Sequence, residues 1–114
     1  MLEDCTLQGA SSAQWAAAAV AAFHRHGADR LIAEVNQGGE LVNSVIQNVA
    51  PGTPFEGVRA TVDKVRRAEP IAALYEQGRV VHMKGLADLE AQMCLMTHHG
   101  YEGQGSPDRV DALV

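Results

Sequence analysis

The chain has 114 residues and a mass of 12.1 kDa, enough for one domain with a single modest core. With 46% hydrophobic and 20% charged residues it has a globular composition, and no apolar run reaches the about 18 to 20 residues that a bilayer span requires. A net charge of -5 argues against a protein that coats nucleic acid, because sequence-independent phosphate affinity comes from lysine and arginine.

The opening "MLEDCTLQG" reads as a short, weak strand closed by Gly9. Its acids set it apart from the basic leader of a signal peptide, so the alanine-rich run after it is expected to be a helix within the fold. That helix has Ser11 or Ser12 as N-cap and Gly27 as its C-terminal stop, with basic residues in the last turn. "RLIAEV" is the next strand, apolar almost throughout and so expected to be covered on both faces. A second helix is predicted from about Gly39 to Val49, with Leu41, Val45, Ile46 and Val49 on its apolar stripe, and "APGTP" ends it.

"GVRATV" reads as a third strand, followed by "DKVRRAEPIAALYEQG" in helical period. Pro70 must kink that helix or sit in the first turn of one that starts near Glu69. "RVVHM" is a fourth strand, "LADLEAQMCLM" a helix, "THHGYEGQGSP" a glycine-rich loop and "DRVDALV" a last helix. Alternating strands and helices imply an α/β fold with at least partly parallel strands. Cys5 and Cys94 lack Cys-x-x-Cys spacing, which fits a reducing cytoplasm better than a disulfide or zinc framework.

The chemistry-bearing candidates are acidic. Glu34 stands inside an apolar strand, close to its carboxyl end, where open α/β sheets bind ligands. A buried carboxylate there needs a cation or a basic partner, so a metal ligand and an ion-paired glutamate are the two readings. The Gly38-Gly39 turn after it would let backbone approach a ligand closely. Asp108 and Asp111, three apart at a helix start, share a face, although Asp108 could simply answer the helix dipole. Converging carboxylates usually serve a hard cation such as Mg2+ or Mn2+. Four of the nine basic residues, Arg59, Lys64, Arg66 and Arg67, fall within "RATVDKVRR", which makes either a positive patch or a solvated helix face. Of the histidines, His24 and His26 do not share a helix face, and His98-His99 alone would not chelate zinc.

Four segments, "AEVNQGGELV", "KVRRAEPIAALYEQGRV", "LADLEAQMC" and "GSPDRVDALV", in this order and spacing, resemble the C-terminal nuclease domain of phage terminase large subunits. The likeness is greatest to the DNA-packaging terminases of prophages and gene transfer agents. It implies an RNase H-like mixed sheet flanked by helices, and a metal-dependent endonuclease that cuts concatemeric double-stranded DNA through two Mg2+ or Mn2+ ions. By the same resemblance Glu34, Asp108 and Asp111 are the acidic metal ligands and catalytic residues, and Lys64 and Arg67 are DNA-phosphate contacts. The implied partners are DNA, a small terminase subunit and a portal, within the cytoplasm of a bacterial host.

The family's first aspartate, on the first strand of the domain, has no counterpart here, so the chain looks like a partial nuclease domain lacking that strand. Asp4 is a candidate substitute. No Gly-x-x-x-x-Gly-Lys-Ser/Thr loop of an ATPase motor is present. A missing central strand would leave neighbouring backbone unpaired, which makes a homodimer the expected repair. A catalytically inactive RNase H-like relic, serving as an oligomerising module, is the alternative. A small-molecule enzyme would need a phosphate-binding loop that "QGASSAQ" does not supply.

Overall fold

Helix and strand signals of the sequence are realised in a computed structural model that describes residues 1–36 and 39–114. The chain divides into two units, Cys5–Ala60 and Thr61–Val114, the latter joined by Met1–Asp4.

In the Cys5–Ala60 unit, α1 (Ser12–Arg25) begins with a reciprocal cap: Gln14 N–H donates to the Ser11 hydroxyl, and Ser11 N–H donates to the Gln14 side chain. It ends before Gly27, whose φ of +58° suits a residue without a Cβ. Strand β1 (Leu31–Glu34) pairs in parallel with β2 (Phe55–Val58), Leu31 opposite Phe55 and Glu34 opposite Val58. Between them runs α2 (Gly39–Val49), with the limits the sequence predicts. The core joins Ala16 and Val20 of α1 to Ile46 of α2, flanked by Trp15, Leu31, Val45 and Phe55. The return to β2 is stitched by Gln47, which donates to the Thr53 carbonyl and accepts from Gly52 N–H, both at 2.8 Å.

Three expectations change here. The stripe of α2 that meets α1 carries Val45 and Ile46, whereas Leu41 and Val49 are 69% and 39% exposed, because packing against α1 selects the face. Strand β2 starts two residues before "GVRATV", since the Gln47 stitch delivers the chain to pairing directly after Pro54, whose carbonyl accepts from Leu31 N–H. Strand β1 alternates instead of being covered on both faces: Leu31 and Ala33 are half-buried, Ile32 and Glu34 exposed.

In the other unit, Asp63 caps α3 (Lys64–Glu76) by accepting from Arg66 N–H at 3.0 Å. Pro70 lies inside this one helix and neither starts nor ends it, at the loss of a single intrahelical bond. Helix α4 (Ala87–Cys94) stops two residues before the end of the expected helix and leads into an antiparallel hairpin, β3 (Met96–Thr97) and β4 (Gly100–Tyr101), most of it in the segment expected to be a loop. Helix α5 (Asp108–Leu113) follows. Leu86, Leu89 and Val110 form the core, with Met93, Met96, Leu113 and Val114 around them.

Neither "MLEDCTLQG" nor "RVVHM" becomes a strand. The two segments meet at one residue: the Met1 amino group donates to the Val81 carbonyl at 2.9 Å, and Met83 N–H donates to the Met1 carbonyl at 3.0 Å. The α/β class is therefore as expected, but the strands among the described residues form two two-stranded sheets, one parallel and one antiparallel, and not one RNase H-like mixed sheet. No helix among the described residues is long and apolar enough to cross a membrane.

Candidate functional site

Asp111 owes its position to the way α5 is anchored. Pro107 cannot cap the helix with a side-chain hydrogen bond, and the part-buried N–H groups of Arg109 and Val110 donate instead to Gln92 Oε1 of α4, at 3.1 and 3.4 Å. Val110 points into the core at 3% exposure, which fixes the rotation of the helix. On another side Arg109 bonds Asp4 through Nε and reaches Asp88 at 3.7 Å. Its guanidinium is held above its ordinary range chiefly by the hydrogen bond to Asp4, with the charges of Asp4, Asp88 and Asp108 adding to this and burial opposing it.

With α5 so fixed, Asp111 meets α3. Lys64 Nζ lies 2.6 Å from its Oδ2, and Arg67 Nη2 lies 3.6 Å from its Oδ1. Lys64 and Arg67 are three apart, one helical step on the same face. Asp111 Oδ1 is shielded from solvent and has no hydrogen-bond partner among the described residues. Such an oxygen is costly to leave without a donor or a cation. Asp108, expected to share a face with it, is exposed at the first residue of α5 and adds its charge to the field at Arg109. Asp4, the candidate substitute for a missing aspartate, is engaged by Arg109.

Glu34 lies in the Cys5–Ala60 unit, exposed at the carboxyl end of β1. The next residue, Val35, is buried and extends the ladder by donating its N–H to the Val58 carbonyl at 2.8 Å. A Cβ on Gly39 or on Gly57 would stand 3.1 or 3.0 Å from Val35 Cγ2. Gly39 thus makes room for Val35; Gly38, the other half of that expected turn, lies outside the described residues. At this carboxyl end of the parallel pair opens a cleft of about 510 Å³, with Glu40, Asn43 and Arg59 on its walls beside Val35 and Phe55. Glu40 and Asn43 went unnoticed in the sequence; their signal is i,i+3 spacing at the start of a helix that follows a strand.

A second polar chain was also illegible beforehand. The Tyr75 hydroxyl lies 2.6 Å from His82 Nε2, and His82 Nδ1 lies 3.0 Å from Glu90 Oε1. Burial, and secondarily the charge of Glu90, raise the Tyr75 phenol above its ordinary value. His98 and His99 are exposed at the hairpin turn, and His24 stands edge-on to Phe23. Within neither unit do three or more His, Cys, Asp or Glu side chains of the described residues gather as a ligand set for a metal ion.

Over residues 1–114 the sequence matches the family model described as "Terminase RNaseH-like domain". No curated protein and no solved structure matches it.

Proposed function

Since the chain belongs to the terminase RNaseH-like domain family, with the nuclease-type role in DNA packaging that this implies, we propose that it is a metal-dependent endonuclease domain acting on concatemeric double-stranded DNA. The observation that supports this most directly is Asp111: a half-buried carboxylate on a firmly anchored helix, with one oxygen that has no hydrogen-bond partner among the described residues and Arg67 3.6 Å away. The family implies Mg2+ or Mn2+, but Asp111 has Lys64 and Arg67 beside it, and no three metal-ligating side chains gather among the described residues, so the residues as placed do not make a complete metal site. The proposed acidic ligands are Asp111 and Asp108 of α5 and Glu34 of β1.

Two such ions would activate water and offset charge on the leaving oxygen of a phosphodiester. The chain's own contributions are distinct from this. Gln92 and Arg109 hold α5 still, so that Asp111 is presented in one orientation. Lys64 and Arg67 keep positive charge at the same place, where a phosphate backbone would be drawn. Double-stranded DNA is the proposed substrate, a small terminase subunit and a portal the proposed partners, and a homodimer the proposed assembly, in a bacterial cytoplasm. The engagement of Asp4 by Arg109 favours a second reading, an inactive RNase H-like module that oligomerises, because it ties up the candidate substitute for the first aspartate.

Nicking of supercoiled plasmid in Mn2+ separates the two. The parent chain is expected to nick weakly at most, because the family's first catalytic aspartate has no counterpart in it, and Asp111→Ala and Glu34→Ala to reduce the rate at least about a hundredfold, the usual scale for lost charge stabilisation at a reacting phosphate. A parent chain that stays inert at every Mn2+ concentration, while folded by circular dichroism, leaves the inactive module as the answer.

A further inference from the structure

Strand β1 has one hydrogen-bonded side. Leu31 and Val35 donate their N–H groups across to the β2 side at 2.8 Å each, and the alternation along a strand turns the backbone of Ile32 the other way. Among the described residues the sheet holds only β1 and β2, so β1 is an edge. Its side chains are open as well. Ile32 is 62% exposed, and Arg30 and Glu34, two residues before and after it, stand on the same face. Arg30 reaches Glu56, the residue opposite Ile32 on β2, which marks that face independently.

An exposed apolar edge is a template for pairing with another chain. The charges along this one, basic before Ile32 and acidic after it, say which chain it suits. We propose that β1 pairs antiparallel with β1 of a second copy of this chain, about a two-fold axis at Ile32, to give a four-stranded sheet in the order β2-β1-β1-β2. Reversal about Ile32 sets it opposite Ile32 of the second copy and sets Arg30 opposite the other copy's Glu34, twice over. A parallel copy in register would put like charge against like. The open edge of β2 is a poorer candidate, because Gly57 weakens it at its centre.

This pairing deepens the oligomerising-module reading given above and rests on the homodimer named there. Opposite a guanidinium, Glu34 takes the role of an ion-paired carboxylate. Strands of four residues bury little area, so the dimer is expected to be weak and reversible.

Sedimentation equilibrium over a wide concentration range tests it on the parent chain, Arg30→Glu, Glu34→Arg and an equal mixture of the two variants. Each variant alone sets like charges opposite each other and is expected to associate at least about tenfold more weakly than the parent. Mixed, the two set opposite charges at both crossings again, and association is expected to return to within about threefold of the parent's. Both variants keep a net negative charge, so general attraction does not produce that recovery.

A parent chain that is monomeric at every concentration overturns the pairing and the homodimer together. A parent dimer that both variants form equally well overturns the β1 pairing and leaves the homodimer to another face. Weakened variants whose mixture does not recover overturn it too, because this register requires the recovery. Should either variant fail to fold, amide exchange in the parent decides. The Ile32 N–H is expected to exchange at least about tenfold more slowly in concentrated than in dilute samples, and a rate independent of concentration overturns the proposal.

Discussion

In the Cys5–Ala60 unit Ala16, Val20 and Ile46 meet across two helices, and the ion pair Arg30–Glu56 stays at the surface, its side chains 59% and 49% exposed. In the Thr61–Val114 unit two ion pairs lie further in: the side chains of Asp4, Arg109, Arg67 and Asp111 are all between 16% and 21% exposed, although Arg66–Asp63 stays at the surface. The first unit therefore behaves as an apolar sandwich, with charge as decoration. In the second, charge decides where an element sits, because α5 has only six residues and too little apolar surface of its own to fix it. Partly buried pairs are weak sources of stability but strong sources of orientation, which is what a carboxylate awaiting a cation requires.

Breaking the apolar side of that contrast should have the largest effect. Ile46→Ala removes a side chain only 2% exposed at the α1–α2 contact, and about 2 to 4 kcal/mol of stability should be lost in urea unfolding. Amide exchange should accelerate within the Cys5–Ala60 unit first.

Gln92→Ala tests the polar side at intermediate size. It leaves the Arg109 and Val110 N–H groups without their acceptor and should cost about 1 kcal/mol. Its signature is the position of the effect: exchange should rise in α5, with α1 and α2 unchanged. A loss spread evenly over both units would mean that α5 is held by its apolar contacts alone.

The smallest effect concerns pH. The Tyr75 phenol is raised from its ordinary value of 10.0, so the folded chain keeps a proton that the unfolded chain has released. The contribution is complete below pH 10 and is lost as pH rises through 10 and past the folded value. Urea midpoints at successive alkaline pH values should fall more steeply for the parent than for Tyr75→Phe. Parallel curves would remove Tyr75 from the account.

Helices were legible in the sequence because their signals are local. The Ser11 cap, Gly27 and the span Gly39–Val49 needed no knowledge of what packs where. Strands were not, since pairing joins residues far apart: β2 shifted by two positions once Gln47 fixed its approach, and the backbone of Val81 and Met83 bonds Met1 where a strand was expected. The candidate site divides in the same way. Asp111 and the basic pair on α3 could each be identified as charged positions, but the ion pairs that join them across the unit could not. Nor could Gln92, whose glutamine looks like any surface residue until its amide is seen at the start of α5.

Val35, nested between Gly39 and Gly57, makes three separated positions share one volume. The quantity that must be conserved is their sum. A methyl group added at 57 has to be taken away at 35, so the three should change together among related sequences even though none carries a charge. A glycine pattern of this kind is easily mistaken for a ligand loop. What distinguishes it is that its partner in variation is an apolar side chain and not a catalytic one.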